Sequence, residues 1–97
     1  KAVLKDYPST DASIPESRLW LGKSLIAAGD PENGILEVLK VPVLYPGSNL
    51  GAEAYAEAAR AYATTDNLKK SLQMWQEVLQ NKPSPALAQE ANAALKP

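Results

Sequence analysis

The chain of 97 residues has no cysteine, no histidine and no phenylalanine, and only one methionine. Without cysteine there is no disulfide, no thiolate metal ligand and no sulfur nucleophile; without histidine the most common general base is missing too. No glycine-rich phosphate loop is present, so the residues offer no familiar catalytic constellation. Neither sign of charge prevails. Ten Lys and Arg against eleven Asp and Glu leave a net charge of −1, which removes the positive field that draws proteins to nucleic-acid backbones. No apolar run nears the roughly 18 to 20 residues that a membrane span needs. The lack of cysteine fixes no compartment, and any signal peptide would lie outside a sequence that opens on Lys1.

What is present is an ordinary globular composition, 45% apolar and 22% charged, on a length that makes one small domain. Proline punctuates it. "LKDYPST", "VLYPGS" and "LQNKPSP" each end an apolar run on a proline followed closely by serine. At an offset of 37 residues Pro46 aligns with Pro83, Val41 with Val78 and Leu50 with Leu87, while Glu16, Glu53 and Glu90 form one series. Lys23 pairs with Arg60, Gly34 with Ser71 and Val38 with Trp75 in the same register, small with small and large with large. The chain reads as one domain, 1–97, of stacked units: the end of a preceding repeat in 1–8, repeats in 9–46 and 47–83, and the first helix of a further repeat, or a capping helix, in 84–97. It is expected to be a fragment of a longer array, with Val3 and Leu4 at an open end.

Between the prolines the apolar spacing is helical, and the chain is expected to be all-α, about five helices plus the end of a preceding one. Ser13 and Glu16 form a capping box for the first helix, and Gly29 ends it in a left-handed conformation. Asp30-Pro31 opens the second. Ser48 is expected to cap a third, alanine-rich helix, Asp66 or Asn67 to start a fourth, and Ser84-Pro85 a fifth. Leu87, Ala91 and Leu95 make a stripe that either receives a further helix or closes the stack. Pro42 stands where the next unit has Leu79, so the second helix should kink or end early near Val38 to Val41.

These units resemble the tetratricopeptide repeat. Its slots hold Arg18, Leu21, Gly22, Leu25, Gly34, Val38 and Pro46 in one unit and Tyr55, Ala58, Ala59, Tyr62, Ser71, Trp75 and Pro83 in the next; Arg18 departs from the aromatic usual at the leading slot. The three residues by which each unit exceeds the usual 34 follow the proline and should lengthen the first helix. "YPxS" before an alanine-rich helix is similar to tetratricopeptide proteins of bacterial cell envelopes, of the β-barrel assembly lipoprotein and Tol–Pal-associated coordinator types. The resemblance implies a right-handed α-solenoid of antiparallel helix pairs, a periplasmic or outer-membrane-associated setting with the cytoplasm left open, and a concave groove lined by the first helix of each pair. Carried over, that groove holds Glu16, Leu19, Trp20, Lys23 and Ile26, then Glu53, Ala56, Glu57, Arg60 and Ala63.

Within that face, Trp20, Lys23, Glu57 and Arg60 are the binding candidates. Trp20 offers an apolar anchor or packs on a neighbouring helix; Lys23 and Arg60 meet a partner's carboxylates or pair with nearby acids. The three glutamates read first as helix-dipole partners, and no metal or other cofactor is expected. Trp75 should be core, and Tyr7 and Tyr45 should pack in the seams between repeats. The carboxylate clamp of chaperone-binding relatives is not matched, because Leu19 and Ala56 stand at slots where it needs asparagine. The expected function is a non-enzymatic scaffold for a protein or peptide segment. The alternative is a structural segment that self-associates through the solenoid ends.

Overall fold

The computed structural model describes residues 14–96, and these fold into five α-helices with no strand among them: α1 Pro15–Ala27, α2 Pro31–Leu44, α3 Gly51–Thr64, α4 Leu68–Gln80 and α5 Pro85–Leu95. Ser13, Tyr7, Val3 and Leu4 lie outside the described residues. Each helix packs on the next in sequence. In addition α1 touches α3 and α3 touches α5, whereas α2 and α4 do not touch. The helices therefore form two layers, α1, α3 and α5 close together and α2 and α4 splayed apart.

The turn between α1 and α2 has a definite cause. Gly29 adopts φ +94°, Asp30 N–H reaches the Leu25 carbonyl at 2.9 Å and Gly29 N–H the Ile26 carbonyl at 3.1 Å, the paired bonds of a Schellman ending. Thirty-seven residues on, Asp66 takes φ 65°, with Asn67 N–H to Tyr62 O at 2.9 Å and Asp66 N–H to Ala63 O at 3.4 Å. The repeat thus extends from residue types to backbone geometry. Asp30 accepts from Asn33 N–H as the cap of α2, and Ser84 accepts from Leu87 N–H as the cap of α5.

Other starts differ from expectation. The N-cap of α1 is Ile14, with no side-chain cap. Ser48 does not cap α3: its hydroxyl accepts from Leu50 N–H at 2.9 Å while its own N–H donates to Tyr45 O. That hydrogen-bonded turn holds the residues after Pro46, and α3 begins only at Gly51. After Pro83 the helix starts at Pro85, three residues earlier in the 37-residue register than α3 does. The residues after the proline are therefore helical in α5, whereas before α3 they form the turn.

Nor does Pro42 end α2 early. The helix continues to Leu44, and Tyr45 N–H closes its last turn on Val41 O at 2.9 Å. Proline forgoes the one bond it would itself donate, to Val38, and so near the C-terminus little helix remains to be lost. The exits of the two pairs do differ: Tyr45 has φ −130°, whereas Lys82 takes the left-handed φ 53°.

The tightest packing lies between α1 and α2. A Cβ on Gly22 would overlap the Val38 Cγ1 methyl and lie 2.8 Å from the Gly34 carbonyl oxygen. One on Gly34 would lie 2.5 Å from Ile26 Cγ1 and 2.7 Å from the Gly22 oxygen. Contacts pair rising numbers on α1 with falling numbers on α2, the order of helices that run in opposite directions. The equivalent positions of the second pair are Ala59 and Ser71, and there the buried Ser71 hydroxyl donates to Ala59 O at 2.7 Å. A serine is tolerated inside because its hydroxyl is satisfied.

Two apolar clusters flank α3. Ala54, Ala58 and Ala61 join Leu19, Ile35, Val38 and Val41 on one side; Ala52, Ala56 and Ala59 join Trp75, Val78 and Ala91 on the other. Short side chains on both faces let four other helices approach one backbone. Trp75 is core as expected, and the Leu87, Ala91, Leu95 stripe closes onto this second cluster.

Two stability predictions result. Gly34→Ala should destabilise by about 1–3 kcal/mol in urea melts despite alanine's better helix propensity, because backbone atoms block the methyl. Asp66→Gly should stabilise by about 1 kcal/mol, since only the left-handed strain is removed; a loss of stability would show that Asp66 makes a compensating interaction.

Candidate protein-binding surface

The close layer carries an ion-pair series. Lys23 on α1 lies 3.6 Å from Glu53 on α3, and Arg60 on α3 lies 2.6 Å from Glu90 on α5. Lys23 and Arg60 are 37 apart, as are Glu53 and Glu90, so this is a single contact made twice. Each unit's cation reaches the equivalent glutamate of the following unit. Glu53 lies in the first turn of α3. Because α5 starts at Pro85, Glu90 lies in its second turn and is not the helix-start dipole partner expected from the sequence. The second copy is the stronger: Arg60 grips both Glu90 oxygens, Nε to Oε2 at 2.9 Å and Nη2 to Oε1, while Nη1 reaches Glu57 at 3.0 Å. Its guanidinium also lies over the Trp75 ring, 5.8 Å from the centroid, a cation–π distance.

The hydrogen bonds from Arg60 hold Glu90 below its usual carboxylate range, and Glu90 in turn holds Arg60 above the usual arginine value. Both side chains are about 40% exposed, so solvent screening keeps the pair within about 1 kcal/mol. Glu16, the third glutamate, is exposed and has no ion-pair partner among the described residues.

The four residues singled out in the sequence are all accessible in some degree. Trp20 is 48% exposed and lies outside both core clusters, one turn before Lys23 on α1. Glu57 and Arg60 sit at the matching slots of α3, where they pair with each other. Two other positions carried over to the groove offer nothing to a partner: Leu19 and Ala56 are buried, Leu19 in the cluster with Ile35, Val38 and Val41 of α2 and Ala56 in the cluster with Trp75 and Val78 of α4. Arg60 is also no isolated surface charge. Replacing it with glutamate would set four acidic side chains around one point and would disturb the seating of α5.

A second cluster escaped sequence reading. Arg18 Nη1 meets Glu37 at 3.1 Å, and Lys40 meets the same carboxylate at 3.0 Å. Burial would push Glu37 up, but Lys40 and Arg18 outweigh it and hold the carboxyl below its usual range. Tyr45 and Glu37 together raise Arg18. The departure of Arg18 from the aromatic repeat slot was its signal: the matching Tyr55 packs against the second core cluster, and Glu37 stands where the next unit has Met74. A charged pair replaces an apolar one.

Against known proteins, the chain matches no family model, no curated protein and no solved structure.

Glu90 supplies a pH prediction. A carboxylate depressed in the folded state stabilises above its unfolded value and loses that contribution as pH falls through the folded one. Below the usual glutamate value of 4.5, amide protection in α5, corrected for the intrinsic exchange rate, should therefore fall in the native chain and fall less in Glu90→Gln, whose side chain does not titrate. In Arg60→Gln the NMR titration midpoint of Glu90 should rise; an unchanged midpoint would show that Arg60 is not the cause.

Proposed function

We propose that this chain is a non-enzymatic protein-interaction scaffold, a right-handed α-solenoid of tetratricopeptide type that binds an extended segment of a partner along the layer of α1, α3 and α5. The observation that carries this reading is the recurrence of the Lys23–Glu53 contact as Arg60–Glu90. It supports a regular array, and the contact of α1 with α3 and of α3 with α5, while α2 and α4 stay apart, supports curvature with the charged layer on the inside. In this reading Trp20 is the apolar anchor, and Lys23 and Arg60 receive acidic groups of the partner. The likeness to envelope tetratricopeptide proteins makes the periplasm or the outer-membrane surface the compartment we favour.

The cations are already engaged, so an acidic segment competes with the chain's own Glu53 and Glu90. Binding should then be salt-sensitive, and it should be limited by those two glutamates. The test starts from peptides selected against the immobilised chain from a random display library. Glu53→Gln with Glu90→Gln should tighten acidic binders severalfold, and Trp20→Ala should weaken them about tenfold. Selected peptides indifferent to all three substitutions would remove the groove.

A further inference from the structure

The layer of α2 and α4 holds an asymmetry that the repeat makes visible. On α2, Leu36, Val43 and Leu44 are exposed to 60%, 72% and 51%. The same slots of the next unit hold Gln73 and Gln80 on α4 and Asn81 at its C-cap, and partly buried Leu39 matches Gln76. One repeat fills this surface with amides, so the fold does not require leucine and valine there. The residues border a shallow recess of about 590 Å³ whose rim includes Arg18, Glu37 and Lys40. Two cations face one carboxylate, and Arg18 Nε is buried without a hydrogen-bond partner.

We propose that this face of α2 is a second docking surface, taking one amphipathic helix of a different protein whose apolar stripe carries a carboxylate near its middle. Two arguments select that occupant over a second copy of the chain. The three exposed side chains offer on the order of 300 Å², the size of a functional patch but well short of the roughly 800 Å² per partner of a standard interface. The second argument is symmetry. A two-fold contact that sets Leu36 of one copy on Leu44 of another must set Lys40 on Lys40, because Lys40 lies midway between them, and an isologous interface cannot avoid its own centre. A carboxylate from a different chain answers Lys40, whose side chain is 45% exposed; another lysine does not. The surface belongs to the layer opposite the ion-pair series and is independent of the groove proposed above.

The test uses the full chain and two synthetic amphipathic helical peptides with leucines at i, i+3 and i+7. One carries glutamates beside the leucines and the other lysines. The matched variant is Leu36→Gln, Val43→Gln, Leu44→Asn, which gives α2 the residues that the next unit already carries at those positions. The glutamate peptide should bind the native chain, with NMR shift changes confined to α2 and the neighbouring part of α1. The variant should keep its helicity and melting behaviour and weaken binding by about tenfold or more; the lysine peptide should bind less well than the glutamate one. Equal binding by native chain and variant, equal binding of the two peptides, or no binding at all would overturn the proposal. So would self-association of the peptide-free chain that the variant abolishes, which would make a second copy the occupant.

Discussion

The whole arrangement depends on two helices touching backbone to backbone. Where α1 crosses α2 there is no room for a side chain on Gly22 or Gly34, because each would meet the other's carbonyl oxygen. That crossing fixes how deeply Val38 sits, and Val38 is in turn fully buried at the meeting of α1, α2 and α3. In the second pair Ala59 and Ser71 occupy the crossing, and there a hydroxyl-to-carbonyl bond joins the two helices in place of the direct backbone contact of the glycines. The two solutions differ in how they fail. A methyl added to the glycine crossing clashes, whereas loss of the serine hydroxyl leaves only a missing bond.

Close crossings also decide which surfaces remain for other molecules. With α3 covered on both sides through its alanines, the helices of its own layer come within reach of one another, and charged residues at their margins meet across the gaps. The second layer has no such neighbours, so the outward sides of α2 and α4 are free to differ. They do: Leu36 and Val43 of α2 are exposed where α4 carries Gln73 and Gln80. The proposed groove and the proposed docking face are therefore products of the same packing, one built by proximity and the other by its absence.

Much of this was legible in the sequence because it is local or periodic. The proline spacing and the 37-residue register gave the number of helices, and Gly29 and Asp30 gave a turn whose geometry recurs at Asp66 and Asn67. The buried role of Trp75 followed from its slot. What stayed hidden depends on tertiary context. Whether Ser48 caps a helix or stabilises the turn before it is decided by where Tyr45 leads the chain, and Pro42 stays helical because so few residues follow it. The surface site was half legible. Spacing alone placed Trp20 beside Lys23 and Glu57 beside Arg60, but a first-turn glutamate reads equally well as a dipole partner. Only the packed layer brings Glu53 to Lys23 and Glu90 to Arg60. Arg18 with Glu37 was missed for the same reason: the two lie 19 residues apart, on no common helix face.

The recurrent ion pair has a consequence for how such a chain can lengthen. Each unit carries one acid early in its first helix, and the base that follows it in one unit meets the acid of the next. A tandem duplication of a single unit would bring its own connector, one acid and one base, to both junctions, with no compensating substitution elsewhere. The genetic event that adds a repeat and the electrostatic match that seats it are then one step. Sequence drift at the remaining positions, as between the amides of α4 and the leucines of α2, can proceed without loosening the joint.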